Sequence, residues 1–217
     1  MIITANIIAP KSATKTYFKG EKMEIDWKQV DYKNIAVVGG IRTGKTALAM
    51  KIISESELDK FVYKHPKPEI IEPFGFKSID FGDLDYIQDC IFFIDEPQLY
   101  VKLDDKKGNM VLKRLLSICG QRNIKLVICT SDTRFIVRSL ESYIDCWCIK
   151  DIDYDMIKQG SRIKKIIQDY AFVSTEGFKL KINEYIFYQR SSRFNRKWTF
   201  EKPPWFTEEL SKPYKME

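Results

Sequence analysis

No stretch of this sequence approaches the roughly 18 consecutive apolar residues that cross a bilayer, which sets membrane-spanning functions aside. The opening Met1-Ile2-Ile3-Thr4-Ala5-Asn6-Ile7-Ile8 carries no basic leader and no small-residue cleavage site, so it reads as a strand rather than a secretory signal. A cytoplasmic protein is expected. The cysteines Cys90, Cys119, Cys129, Cys146 and Cys148 include no C-x-x-C pair and no zinc-binding spacing, which leaves buried free thiols as the default. The single histidine, His65, has no ligand partners near it in sequence and reads as a loop residue. Internal repeats and low-complexity linkers are missing too.

What is there suits one α/β domain with small extensions. At 217 residues, 44% hydrophobic and 30% charged, the chain is long and apolar enough to bury a proper core. A formal net charge of +6 favours an anionic partner, nucleic acid among them.

Gly39-Gly40-Ile41-Arg42-Thr43-Gly44-Lys45-Thr46 completes the phosphate-loop pattern G-x-x-x-x-G-K-S/T. Its context fits the chemistry. Ile35 to Val38 is a short apolar run suited to a buried strand, and Thr46 to Ile53 carries apolar residues at helical spacing. A strand, a glycine turn and a helix start aim backbone N–H groups and the helix dipole at one point. The loop from Gly39 to Ala47 would cradle a nucleotide, with Lys45 on the β- and γ-phosphates and the Thr46 hydroxyl on Mg²⁺.

Further along, Cys90 to Ile94, Ile124 to Cys129 and Ile144 to Ile149 read as buried strands, with Phe61-Val62-Tyr63 as another. Phe81 to Gln88, Met110 to Cys119 and Phe135 to Tyr143 read as helices, and the proline-bearing stretch of His65-Pro66-Lys67-Pro68 and Glu72-Pro73 as loop. Buried runs alternating with helices predict an α/β fold, a mainly parallel sheet with helices on both faces. The expected layout is an N-terminal β extension over 1–34, a catalytic core over 35–150, and a C-terminal β hairpin with a basic, aromatic tail over 151–217. That hairpin would join Ile163–Val173 to Phe178–Phe187.

Ile91-Phe92-Phe93-Ile94-Asp95-Glu96 ends an apolar strand in two carboxylates, at the sheet edge where ligands bind. Asp95 is the expected second Mg²⁺ residue, and Glu96 the base that polarises attacking water. No Asn-Lys-x-Asp guanine signature and no Leu-Ser-Gly-Gly-Gln transporter segment occurs, so ATP is the expected nucleotide. Thr130 or Ser131, closing the third strand, lies beside the γ-phosphate or caps a following helix. Arg122 either serves a neighbouring subunit's nucleotide or is solvated, with Arg114, Arg134 and Arg138 as rivals. Lys102, Lys106, Lys107 and Gly108 read as a loop that is solvated or faces a channel. Tyr185 and Phe187 read as the core face of a strand, while Arg190–Lys197 is either surface or a phosphate-backbone grip.

Taken together, Gly39–Thr46, Phe92-Phe93-Ile94-Asp95-Glu96-Pro97-Gln98 and the run Gly120–Ser131 resemble the FtsK/HerA superfamily of P-loop (RecA/ASCE-like) ATPases. They are most similar to its compact members, the genome-packaging ATPases of membrane-containing and archaeal viruses and the Zot-like phage proteins. The resemblance implies a homo-oligomeric ring, usually a hexamer, that threads double-stranded DNA using ATP, with a capsid or portal-vertex protein as a further partner. It also implies location in the host cytoplasm, or in the virion. Ser131 would stand where the family often has a longer sensor glutamine, and Arg122 where it has a trans-acting arginine. A plasmid or host DNA motor, a regulatory ATP-binding module and a small-molecule kinase are the alternatives.

Overall fold

The computed structural model describes residues 24–100, 106–132, 141–153, 163, 165, 166, 177–190, 192 and 194–211. An eight-stranded sheet forms its centre. In chain order its strands are β1 (Asn34–Val38), β2 (Asp59–Tyr63), β3 (Phe76–Ile79), β4 (Cys90–Asp95), β5 (Lys125–Thr130), β6 (Cys146–Ile149), β9 (Glu184–Gln189) and β10 (Arg196–Thr199). The spatial order is β10-β9-β6-β1-β5-β4-β2-β3. The six strands from β6 to β3 run parallel, and β9 and β10 add an antiparallel edge. Two short strands, β7 (Ile152–Asp153) and β8 (Gly177–Phe178), pair apart from it.

Alternate residues of each central strand enter different layers, as the two-residue period of a strand demands. Ile35, Val37, Ile91, Phe93, Val127 and Cys129 pack against Leu48, Met50, Ile52 and Ile53 of helix α1 (Lys45–Ser54). Ala36, Val38, Phe92, Ile94, Leu126 and Ile128 pack on the opposite face, against Leu115, Leu116 and Cys119 of helix α3 (Lys106–Gln121). Both faces are covered, so the strands read as continuous apolar runs. Among the described residues no helix is long and apolar enough to cross a membrane.

Several expectations need correction. Strands before residue 34 fall partly on 1–23, outside the described residues; within 24–33 there is a 3-10 turn at Trp27–Gln29 instead, with Ile25, Trp27, Val30 and Tyr32 buried. The proline stretch is not all loop, for Pro68 opens a short helix α2 (Pro68–Ile71), where its missing N–H costs nothing. Lys106, Lys107 and Gly108 lie in the first turn of α3 and not in a loop; Lys102 is outside the described residues. The helix expected over Phe135–Tyr143 falls mostly there as well, and Glu141–Tyr143 form a turn.

The C-terminal hairpin is displaced along the chain. Ile163, Lys165 and Ile166 are helical, and Ile163 and Ile166, three apart, are both buried. Most of the first expected strand, 167–173, is outside the described residues. β9 pairs instead with β10, Tyr185 opposite Trp198, and lies against β6 on its other side.

Candidate active site

Register assembles the site. Val38 pairs with Thr130 on one side and Ile149 on the other, and Asp95 pairs with Cys129. The residues that follow these strands, Gly39, Glu96, Ser131 and Lys150, therefore emerge side by side at the carboxyl edge of the parallel sheet, the edge that binds ligands in open α/β folds.

The phosphate loop is held as a closed turn. Gly39 N donates to Thr130 O at 3.3 Å and Gly40 N to Asp151 O at 2.6 Å. Thr43 Oγ1 and Lys45 Nζ both donate to Gly40 O at 2.9 Å. Gly44 takes φ +85° as the N-cap of α1 and offers no side-chain cap, so the first N–H groups of this helix remain for an anion. A side chain on Gly39 would begin 2.6 Å from Lys150 Cβ, which explains the glycine there. Arg42 adopts φ +62°, Ala47 is buried at the helix start, and Ile41 projects into solvent at 80% exposure.

The acidic pair meets this loop. Thr46 Oγ1 donates to Asp95 Oδ2 at 3.0 Å. Asp95 Oδ1 is buried without a hydrogen-bond partner. Burial, then the neighbouring Glu96 charge, pushes the Asp95 carboxyl up to about 6. A hydroxyl beside an unsatisfied carboxylate oxygen is a hard-oxygen donor set that fits Mg²⁺, which keeps most of its ligands as water or phosphate.

Glu96 takes φ +46°, a left-handed conformation that turns its side chain back over the site. Its Oε1 lies 3.3 Å from Lys45 Nζ, and Lys45 is buried at 6% exposure. Its Oε2 accepts from Ser131 N at 2.8 Å, from Ser131 Oγ at 3.1 Å and from the Gln98 amide. Gln98 Oε1 in turn accepts from Thr130 Oγ1 at 2.8 Å. Gln98, on the 3-10 turn Pro97–Leu99, is the residue missed from sequence. Its signal was the Asp-Glu-x-Gln ending itself. Thr130 Oγ1 also accepts from Asp132 N at 3.0 Å; the helix it was expected to cap lies mostly outside the described residues.

Arg122 lies at the other end of β5, its carbonyl accepting from Asp89 N at 3.0 Å. A six-residue strand separates it from Ser131, so it does not reach its own chain's loop. Arg114 pairs with Asp85 at the surface; Arg134 and Arg138 are outside the described residues. In the tail, Tyr185 and Phe187 are fully buried, Arg196 stacks on Trp198 and Lys197 pairs with Glu184.

Above the loop and the acid pair opens a cavity of about 1020 Å³. Its walls include Tyr63, His65 and Tyr100 on one side and Ile182, Phe200 and Phe206 on the other. That is ample for a nucleotide.

The crossover order, the glycine turn and the carboxylates at the strand ends define a P-loop NTPase fold of the α/β class. Two solved viral structures share it. The DNA-packaging ATPase B204 of Sulfolobus turreted icosahedral virus aligns over 77% of this chain and 97% of its own, with TM-score 0.54 and 12% identity. The genome packaging NTPase B204 of Sulfolobus turreted icosahedral virus 2, in complex with sulfate, aligns over 77% and 96%, with TM-score 0.55 and 11% identity. At such identities the likeness is one of fold. No protein-family model matches the sequence, and a search of curated proteins finds no match.

Proposed function

We propose that this chain is an ATP-hydrolysing motor that assembles into a ring, a hexamer by family resemblance, and drives double-stranded DNA into a preformed viral capsid. One observation carries the reading: the glycine turn and the acidic pair, far apart in sequence, meet in one crevice, with Thr46 3.0 Å from Asp95 and Lys45 3.3 Å from Glu96. The step from hydrolysis to DNA packaging draws support from the net charge of +6 and from the fold shared with ATPases of that kind.

In this reading Lys45 leaves Gly40 O and Glu96 for the β- and γ-phosphates, which the N–H groups at the start of α1 also receive. Glu96 Oε1 is thereby freed, while Ser131 and Gln98 keep hold of Oε2. The carboxylate is then oriented rather than loose, and it accepts the proton of a water attacking the γ-phosphate in line. Thr46 and Asp95 would hold Mg²⁺, which supplies positive charge to the phosphate oxygens. Loss of the γ-phosphate returns Lys45 to Glu96, and the Gln98–Thr130–Ser131 contacts pass that change to the chain after β5. Arg122 serves the site of a neighbouring subunit. The capsid or its portal vertex is the further partner, and the host cytoplasm or the virion the location.

The test is ATP hydrolysis with and without double-stranded DNA. DNA should stimulate turnover. Lys45→Ala should lower it by at least about a hundredfold, and Glu96→Gln should bind ATP without turning it over. Wild-type protein that binds ATP but never hydrolyses it, DNA or not, would instead be a binding module. DNA-independent phosphate transfer to an added acceptor would make it a kinase.

A further inference from the structure

Lys150 follows β6 directly and is fully buried, at 0% exposure. Its backbone N–H continues the sheet, donating to Val38 O at 2.8 Å. The side chain then runs behind the phosphate loop. Its Cβ closes off the space beside Gly39, and its amine stops 3.8 Å from where a Gly44 side chain would begin. There Nζ donates to Ile182 O at 2.6 Å and to Glu184 O at 2.7 Å, and it stands 4.6 Å from the centre of the Phe200 ring. Those carbonyls belong to the turn entering β9 and to the first residue of that strand. Ile182 O also lies 3.0 Å from the Gly44 position, and Ile182, Asn183 and Phe200 line the nucleotide cavity. One buried amine thus ties the back of the phosphate loop to a wall of the cavity in front of it.

The groups facing this amine are Cys148 from β6, Asp151 just beyond it, Glu184 from β9 and Lys45 from α1. Neither carboxylate pairs with it. Glu184 is turned to Lys197 at 3.2 Å and to Lys181 N at 3.0 Å, and Asp151 to Lys179 at 3.7 Å. An ammonium buried among carbonyls and a ring, without a counter-ion, is stabilised by any negative charge that arrives nearby.

We propose that Lys150 is a positioning residue that responds to phosphate: a polyphosphate in the loop keeps its ammonium charged, and the charged ammonium clamps the 182–184 turn and Phe200 against Gly44. The inference rests on the nucleotide reading above and deepens it. Desolvation lowers the amine to about 7 in the free protein, so near neutral pH the incoming charge decides whether it carries a proton. The neutral amine donates more weakly to both carbonyls and loses its attraction to the ring. By linkage, what the phosphate does for the proton the proton does for the phosphate. The proton comes from solvent, and nucleotide binding above about pH 7 takes one up.

Calorimetric titration of the unmodified protein with a non-hydrolysable ATP analogue and Mg²⁺, in buffers of different ionisation heat, tests this directly. At about pH 8 Asp95 and the nucleotide phosphates are already deprotonated, and uptake of close to one proton per nucleotide is expected. At about pH 6, where Lys150 is already charged, its uptake should vanish. Lys150→Arg, charged at every accessible pH, should bind without the uptake at pH 8. Lys150→Met should lose both the uptake and about tenfold in affinity. Wild-type binding at pH 8 without proton uptake, or uptake undiminished in Lys150→Arg, overturns the proposal while the nucleotide reading stands. Failure of the wild type to bind the analogue at all overturns that reading and the clamp with it.

Discussion

Asp95 shows how a site is set against the stability of the chain that carries it. Its carboxyl is held up to about 6 by burial, against 3.8 when unperturbed. The folded state therefore binds the extra proton between those values, and stability falls as pH rises from about 4 to about 6. Above that window the charged, half-satisfied carboxylate costs on the order of 3 kcal/mol. Asp95→Asn should raise the unfolding free energy by up to that amount at neutral pH and by almost nothing at about pH 4, as urea melts at the two pH values would show. Mg²⁺ should stabilise the wild type and leave the variant unmoved. Lys45, Thr46, Asp95 and Glu96 were legible in sequence because each belongs to a short local pattern that the backbone itself dictates. Gln98 was marked by the Asp-Glu-x-Gln ending, but its role was not, since that arises from a contact 32 residues away with Thr130. Lys150, whose contact with Ile182 spans the same 32 residues, belongs to no local pattern at all.

Two glycines with nearly the same backbone separate conformational strain from crowding at the ends of secondary structure. Gly44 caps α1 at φ +85° with Ile182 O 3.0 Å from its absent side chain; Gly75 precedes β3 at φ +79° with nothing within 4 Å. Gly75→Ala should cost only the left-handed penalty, about 1 kcal/mol, and leave nucleotide binding intact. Gly44→Ala should cost more and also weaken binding, because the turn that Lys150 holds must retreat; chemical denaturation beside nucleotide titration distinguishes them. The buried strands β1, β4, β5 and β6 were legible because both their faces are covered, which turns each into an uninterrupted apolar run. β3 escaped notice because only Phe76 of its four residues is buried. The hairpin was displaced because Ile163 and Ile166 satisfy strand composition while their three-residue spacing buries one face of a helix.

From β10 at one edge of the sheet, the C-terminal segment returns over the α1 face to β3 at the other edge. Trp205 stacks on Phe74 at 4.6 Å, and Phe206 and Leu210 are buried with the residues of α1. Lys67 bonds Glu209 at 2.9 Å. Phe206→Ala should cost about 3 kcal/mol in a denaturant melt and disturb the cavity it lines. Glu209→Ala, breaking an exposed pair, should cost under about 1 kcal/mol.

All five cysteine thiols lie inside this sandwich, Cys90 and Cys119 in the layer under α3 and Cys129, Cys146 and Cys148 in the layer that includes α1. Desolvation raises every one of them, Cys90 to about 11 and Cys119 to about 12. A thiol reagent should thus find no reactive handle on the folded protein, and a cysteine installed at the 85%-exposed Tyr86 should take up a maleimide dye alone. Slow native-state alkylation read by peptide mass would then become a two-channel dosimeter: whichever group of sulfurs is tagged first names the helical layer that peels away first.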